Sequence, residues 1–85
     1  MVLFVLKNNR AKNRLGISAS KKVGKAVVRN RCRRRLKEAY RLIESDMLEG
    51  YDIVILPRAP IIEADFAEIK SGMRHLLRKQ GIWKQ

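Results

Sequence analysis

Acidic side chains are almost missing from the first half of this chain: residues 1–41 hold only Glu38, beside fourteen Lys and Arg. Cysteine and histidine are equally scarce. Cys32 alone makes no internal disulfide, and with the single His75 it cannot close a zinc site. Nor does one histidine find a Ser/Cys–His–Asp constellation to join. Long apolar runs are also lacking. Val2–Leu6 and Ile53–Leu56 are far too short to span a bilayer. The first is not a secretory signal, because no basic segment precedes it and Lys7 follows at once. No linker, internal repeat or low-complexity stretch interrupts the chain. The expectation is a soluble, cytoplasmic protein with no membrane partner.

What is present is charge. The 85 residues carry a net +12 with an isoelectric point near 10.8. Residues 1–41 supply +13, and residues 42–85, with six bases and seven acids, supply −1. An excess gathered in one half is built to meet a polyanion, with nucleic acid ahead of an anionic membrane surface. Hydrophobic residues at 46% exclude a disordered tail. The length allows one small domain, residues 1–85, that hides only about 60–65% of its unfolded surface.

The hydrophobic pattern predicts five elements. Val2–Lys7 is β-branched and aromatic and reads as a strand. The polar stretch from Asn8 to Asn13 suits a hairpin loop to a second strand, Arg14–Ala19, with Leu15, Ile17 and Ala19 on one face. Gly16 stands where a bulge or a close backbone approach would be tolerated. From about Gly24 to Met47 the period is helical, with Val28, Cys32, Leu36, Ala39, Tyr40, Ile43 and Met47 forming one apolar stripe and Gly50 as C-terminal cap. Tyr51–Leu56 reads as a buried strand closed by Pro57 and Pro60. Asp65 then caps a last helix whose Phe66, Ile69, Met73, Leu76 and Leu77 are apolar, and which Gly81 stops. The order strand-strand-helix-strand-helix gives an α+β fold, a small two-layer α/β sandwich.

The long helix carries the chemistry. Lys25, Arg29, Arg33, Lys37 and Arg41 recur at a strict spacing of four, and Arg31, Arg34 and Arg35 add to them. Such a row drifts about 40° per step, so it starts beside the apolar stripe at Arg29 and winds out to solvent by Arg41. A charge run is ordinarily a solvated face. Here like charges at i and i+4 repel, with only Glu38 and Glu44 for relief, and phosphates would neutralise them.

The segment Lys21-Lys22-Val23-Gly24-Lys25-Ala26-Val27-Val28-Arg29-Asn30-Arg31-Cys32-Arg33-Arg34 closely resembles the signature of the bacterial ribonuclease P protein component. Its Arg-Asn-Arg core lies at the start of a long basic helix. The resemblance extends over essentially the whole chain, through Gly16–Lys22, YDIVIL and the HLLRK ending at His75–Lys79. It implies a protein subunit bound to a catalytic RNA that removes the 5′ leader of precursor tRNA, an endonuclease whose hydrolysis the RNA performs with magnesium. It also implies that Lys22, Lys25, Arg29, Asn30, Arg31, Arg33, Arg34 and Lys37 face RNA, that Val2 and Phe4 line the leader cleft, and that the strand–helix–strand crossover is left-handed. The family pattern begins with a further helix and a short edge strand that supply aromatic residues to the cleft, whereas here Met1 directly precedes Val2. The expectation is an N-terminally shortened domain that lacks one cleft wall and self-associates when free of RNA.

Other signals have simpler readings. Cys32 on the apolar stripe is a small core residue, Tyr40 is core, and His75 is exposed. Ser18-Ala19-Ser20-Lys21 matches S-x-x-K without the partner motifs of that enzyme class. Val23-Gly24-Lys25 lacks the remainder of a P-loop. Glu63, Asp65 and Glu68 could be magnesium ligands, but helix capping explains them. Trp83 could pack or stack. No residue set here would cleave a phosphodiester unaided. A ribosomal or chaperone-like small RNA-binding protein is the alternative function. A membrane-active basic helix is the third, and the complete α/β pattern argues against it.

Overall fold

The computed structural model describes residues 1–58 and 64–84, so the expectations for Pro60 and Glu63 fall outside the described residues. In chain order the elements are β1 (Val2–Lys7), β2 (Arg14–Ile17), α1 (Ala26–Ile43), β3 (Tyr51–Leu56) and α2 (Phe66–Lys79). Short 3-10 turns occupy Lys21–Val23 and Glu44–Asp46. One face of the sheet carries Leu3, Ile53 and Ile55, buried with Leu36, Ile43, Met73 and Leu77 of the two helices. Each such side chain gains about 1.5–3 kcal/mol on burial. The second face of the sheet is open.

The strand order is β1-β3-β2, with β3 antiparallel to β1 and parallel to β2. The expected β1–β2 hairpin is therefore wrong. Ile53 and Ile55 of β3 are completely buried, and a strand so deep must satisfy the backbone groups of both its edges. β3 takes the centre, and the 8–13 loop passes over its start. Asn13 Nδ2 donates to Leu48 O at 2.9 Å, the Tyr51 amide donates to Asn13 Oδ1 at 2.8 Å, and the Asn8 amide donates to Gly50 O at 3.0 Å. The polar residues that suggested a turn are the ones that tie this crossing loop down.

Two glycines also differ from expectation. Gly16 makes neither a bulge nor a close approach: it pairs regularly with Val54, and a Cβ there would meet nothing within 4 Å. Gly50 does not cap α1, which ends at Ile43, but holds φ +97° in the turn into β3. The apolar stripe continues to Met47 because the 3-10 turn and a bridge to Trp83 keep that side chain buried. The second strand stops at Ile17, although the Ser18 amide still donates to Ile55 O at 2.9 Å. At α2 the expectation holds: Asp65 Oδ1 accepts the Glu68 amide at 2.8 Å, and Gly81 follows the helix at φ +77°.

Candidate nucleic-acid interface

The interface begins before α1. Ala19 and Val23 are buried anchors that leave Lys21 and Lys22 exposed between them. Gly24 then takes φ +149°, and a Cβ there would lie 2.9 Å from Val28 Cγ1. Only glycine lets the chain enter the helix so close to its own first turn. Lys25 occupies the N-cap, with no side-chain cap bond and no acid in the first turn. A helix usually closes this end with Ser, Thr, Asp or Asn. Here the positive end of the dipole has no side-chain cap, and the exposed Lys21, Lys22 and Lys25 precede it, a setting that suits an anion.

Along α1 the basic row winds as its spacing predicts. Arg29 and Arg33 are half-buried beside the core stripe, while Arg31, Arg34, Lys37 and Arg41 are exposed. Arg29 Nε is shielded from solvent and has no hydrogen-bond partner among the described residues. Asn30 is exposed, and its Oδ1 accepts from Arg33 Nη1 at 3.1 Å, so the middle residue of the Arg-Asn-Arg triplet steadies a guanidinium one turn on. Two further arginines are engaged by protein. Arg35 Nη2 donates to Ala64 O at 2.8 Å, fastening α1 to the start of α2. Arg41 forms a two-pronged pair with Glu38 at 2.6 and 3.2 Å, which holds the Glu38 carboxyl below its ordinary range. The sequence row thus divides into free cations from Lys21 to Lys37 and a neutralised outer end.

Val2 and Phe4 lie elsewhere, on the open face of the sheet. Val2 is half-buried, and Phe4 and Leu6 are 51% and 63% exposed. The register sets Phe4 opposite Val54, which in turn lies opposite Gly16. A depression of about 310 Å³ beside them is lined by Arg14, Leu15, Gly16, Asp52, Ile53 and Val54. The empty space above Gly16 deepens this face. Asp52 accepts from Arg14 Nε and Nη2 at 2.8 and 2.7 Å and from Asn8 Nδ2 at 2.9 Å. The Arg14 bonds, and then that from Asn8, hold its carboxyl well below the usual carboxylate range. Sequence reasoning missed Arg14, Gly16, Asp52 and Val54 because they meet only once β3 is placed between β1 and β2.

The residues set aside stay aside. Cys32 is buried, and burial pushes its thiol up despite nearby Arg35 and Arg33. Tyr40 is core, and burial, with the Glu44 charge adding, pushes its phenol up to about 12. Among the described residues its hydroxyl makes no hydrogen bond of good geometry, although the Asn13 and Glu44 side chains lie near it. His75 is exposed on α2. Among the described residues no group of three His, Cys, Asp or Glu could hold a metal. No described helix is long and apolar enough to cross a membrane.

The family model for ribonuclease P matches residues 1–81. The chain belongs to the ribonuclease P protein family. A ribonuclease P protein component from Clostridium botulinum (strain 657 / Type Ba4) is 49% identical over 84 residues, covering 98% of this chain and 76% of that protein. One from Thermoanaerobacter sp. (strain X514) is 45% identical over 83 residues, covering 98% and 72%. Among solved structures, the Thermotoga maritima RNase P protein superposes with a TM-score of 0.82 at 32% identity, over 91% of this chain and 74% of that one. The Staphylococcus aureus RNase P protein gives 0.81 at 29% identity, over 96% and 75%. The family's fold is thus this chain's fold, and these matches lend no support to a ribosomal or chaperone-like reading.

Proposed function

We propose that this chain is the protein subunit of ribonuclease P, acting in the cytoplasm, and that it docks on the RNA subunit through the start of α1. The observation that carries this is the run from Lys21 to Lys37, where nine Lys and Arg meet no acid and only Arg33, through neighbouring Asn30, and Arg35 bond to protein groups among the described residues. Lys22, Lys25, Arg29, Asn30, Arg31, Arg33, Arg34 and Lys37 would face that RNA. Arginine's planar fork suits phosphate, and counterion release adds to the affinity.

The open sheet face would take the 5′ leader of precursor tRNA. Phe4 offers a ring on which a base can stack, and Val2 borders it. Hydrolysis falls to the RNA subunit with magnesium, which would supply the metal-activated attack on the phosphodiester. Among the described residues no cluster of carboxylates could hold magnesium, and three of the carboxylates are already engaged. Asp52 is taken by Arg14 and Asn8, Asp65 by the Glu68 amide, and Glu38 by Arg41. Free of RNA, the exposed Phe4 and Leu6 would favour self-association.

Reconstitution with the RNA subunit tests the reading. Added protein should let that RNA cut precursor tRNA at a magnesium concentration too low for the RNA alone, and Arg31→Ala should need more protein for the same effect. Tight binding without any stimulation of cleavage would overturn it.

A further inference from the structure

A second concentration of positive charge lies on α2. From Ile69 to Lys84 the chain carries Lys70, Arg74, Arg78, Lys79 and Lys84 and no acid. Lys70, Arg74 and Arg78 follow at steps of four and share one flank of the helix. Gly72 falls on the other flank, where the end of the Met1 side chain lies 3.7 Å from the place a Cβ would take. The three-cation flank is therefore turned away from Met1 and β1. None of its cations forms an ion pair among the described residues. A favourable dipole at the helix end accounts for Arg78, but Lys70 and Arg74 come too early for it.

The chain then reverses at Gly81 and lays Trp83 beside the same flank. The guanidinium carbons of Arg74 and Arg78 lie 6.0 and 5.6 Å from the ring centroid. Trp83 is half-buried, and its backbone is fixed by the bridge to Met47 and by the Lys84 amide donating to Asp46 O at 2.7 Å. The indole attracts both guanidinium groups, yet two like charges are thereby held close together on a braced segment. An unpaired nucleotide would relieve that repulsion, its base stacking on the ring and its phosphates meeting the cations.

We propose that this α2 flank is a second RNA-binding surface, which takes a single-stranded segment of the ribonuclease P RNA with a base on Trp83. The identity of that RNA rests on the function proposed above. The precursor leader is not the occupant, because Ile69, Met73 and Leu77 pack α2 onto the covered face of the sheet, opposite Phe4. A strand lying in the Phe4 cleft reaches Trp83 only by passing round an edge of the molecule.

Trp83 is the only tryptophan, so its emission reports on this surface alone. The full chain is titrated with the RNA subunit while tryptophan fluorescence and, separately, the anisotropy of end-labelled RNA are followed. Emission should be quenched in step with anisotropy. The double variant Arg74→Ala/Arg78→Ala should keep its circular dichroism spectrum, lose most of the fractional quench, and lower the salt slope of binding by about 1.4–1.8. Lys79→Ala, on the other flank, should change neither. A leader-length oligonucleotide should bind without quenching. Binding seen by anisotropy with Trp83 emission unchanged would overturn the proposal and leave the α1 interface standing. Quenching by the leader alone would also overturn it, by placing the leader on α2. No binding at all would remove both readings.

Discussion

The division of α1 into free and neutralised cations makes a quantitative demand on salt dependence. Nine Lys and Arg lie between residues 21 and 37, and setting aside Arg35, bonded to Ala64 O, leaves eight. If each meets a phosphate, the slope of log affinity against log salt is about −5.6 for single-stranded and −7.2 for duplex contacts. Affinity for the RNA subunit should then fall by about 10³–10⁴ between 50 and 200 mM salt from this face alone. Arg31→Ala removes one exposed, unpaired cation and should reduce the slope by about 0.7–0.9. Arg41→Ala should change it much less, because Glu38 already holds that charge at 2.6 Å. Glu38→Gln frees Arg41 and should steepen the slope by about the amount Arg31→Ala removes. Filter binding of labelled RNA across a salt series measures all four proteins. Equal losses for Arg31→Ala and Arg41→Ala, or no response to Glu38→Gln, would refute the division and leave only a diffuse positive surface.

Further outcomes follow from single contacts. Tyr40→Phe should cost little at neutral pH, since its buried hydroxyl makes no hydrogen bond of good geometry among the described residues. The wild-type phenol stays neutral in the fold up to about 12. It ionises in the unfolded chain from about pH 10, so wild type should lose stability relative to Tyr40→Phe as pH rises through that window. Paired thermal melts at pH 7 and pH 11 show whether it does. Gly24→Ala, with φ +149° and Val28 Cγ1 at 2.9 Å, should destabilise by about 1–3 kcal/mol and lower Tm by several degrees. Asp65→Ala should cost about 1 kcal/mol in urea melts through loss of the α2 cap. Sedimentation should show concentration-dependent self-association of the RNA-free chain, reversed by a leader-length oligonucleotide; a monomer at every concentration removes the idea.

The helices were legible because their apolar residues repeat. Cys32, Leu36, Ala39, Tyr40 and Ile43 mark the buried side of α1, and the same phase fixes where Arg29 turns in and Arg31 turns out. The strands were legible one by one but not in order. Adjacency is set by which strand needs two neighbours, and the polar loop from Asn8 to Asn13 serves a crossing as readily as a hairpin. The Arg-Asn-Arg row was visible as charge. Its partition was not, because the Arg35 partner is a backbone carbonyl 29 positions away. The Trp83 cluster was hidden for a similar reason: nothing local tells which way the chain turns after Gly81.

The central position of β3 carries a consequence for how the chain folds. Val2 pairs with Leu56 and Arg14 with Asp52, so no rung of the sheet joins residues closer than 38 positions apart. Closing such large loops before any rung forms is slow, and high contact order lowers the folding rate. The middle strand is also the last to leave the ribosome. Until Leu56 is available, β1 and β2 lack the strand that pairs with both of them in the fold. Only α1, whose contacts are local, can begin to order early. The basic helix can therefore begin to order before the sheet that braces it exists.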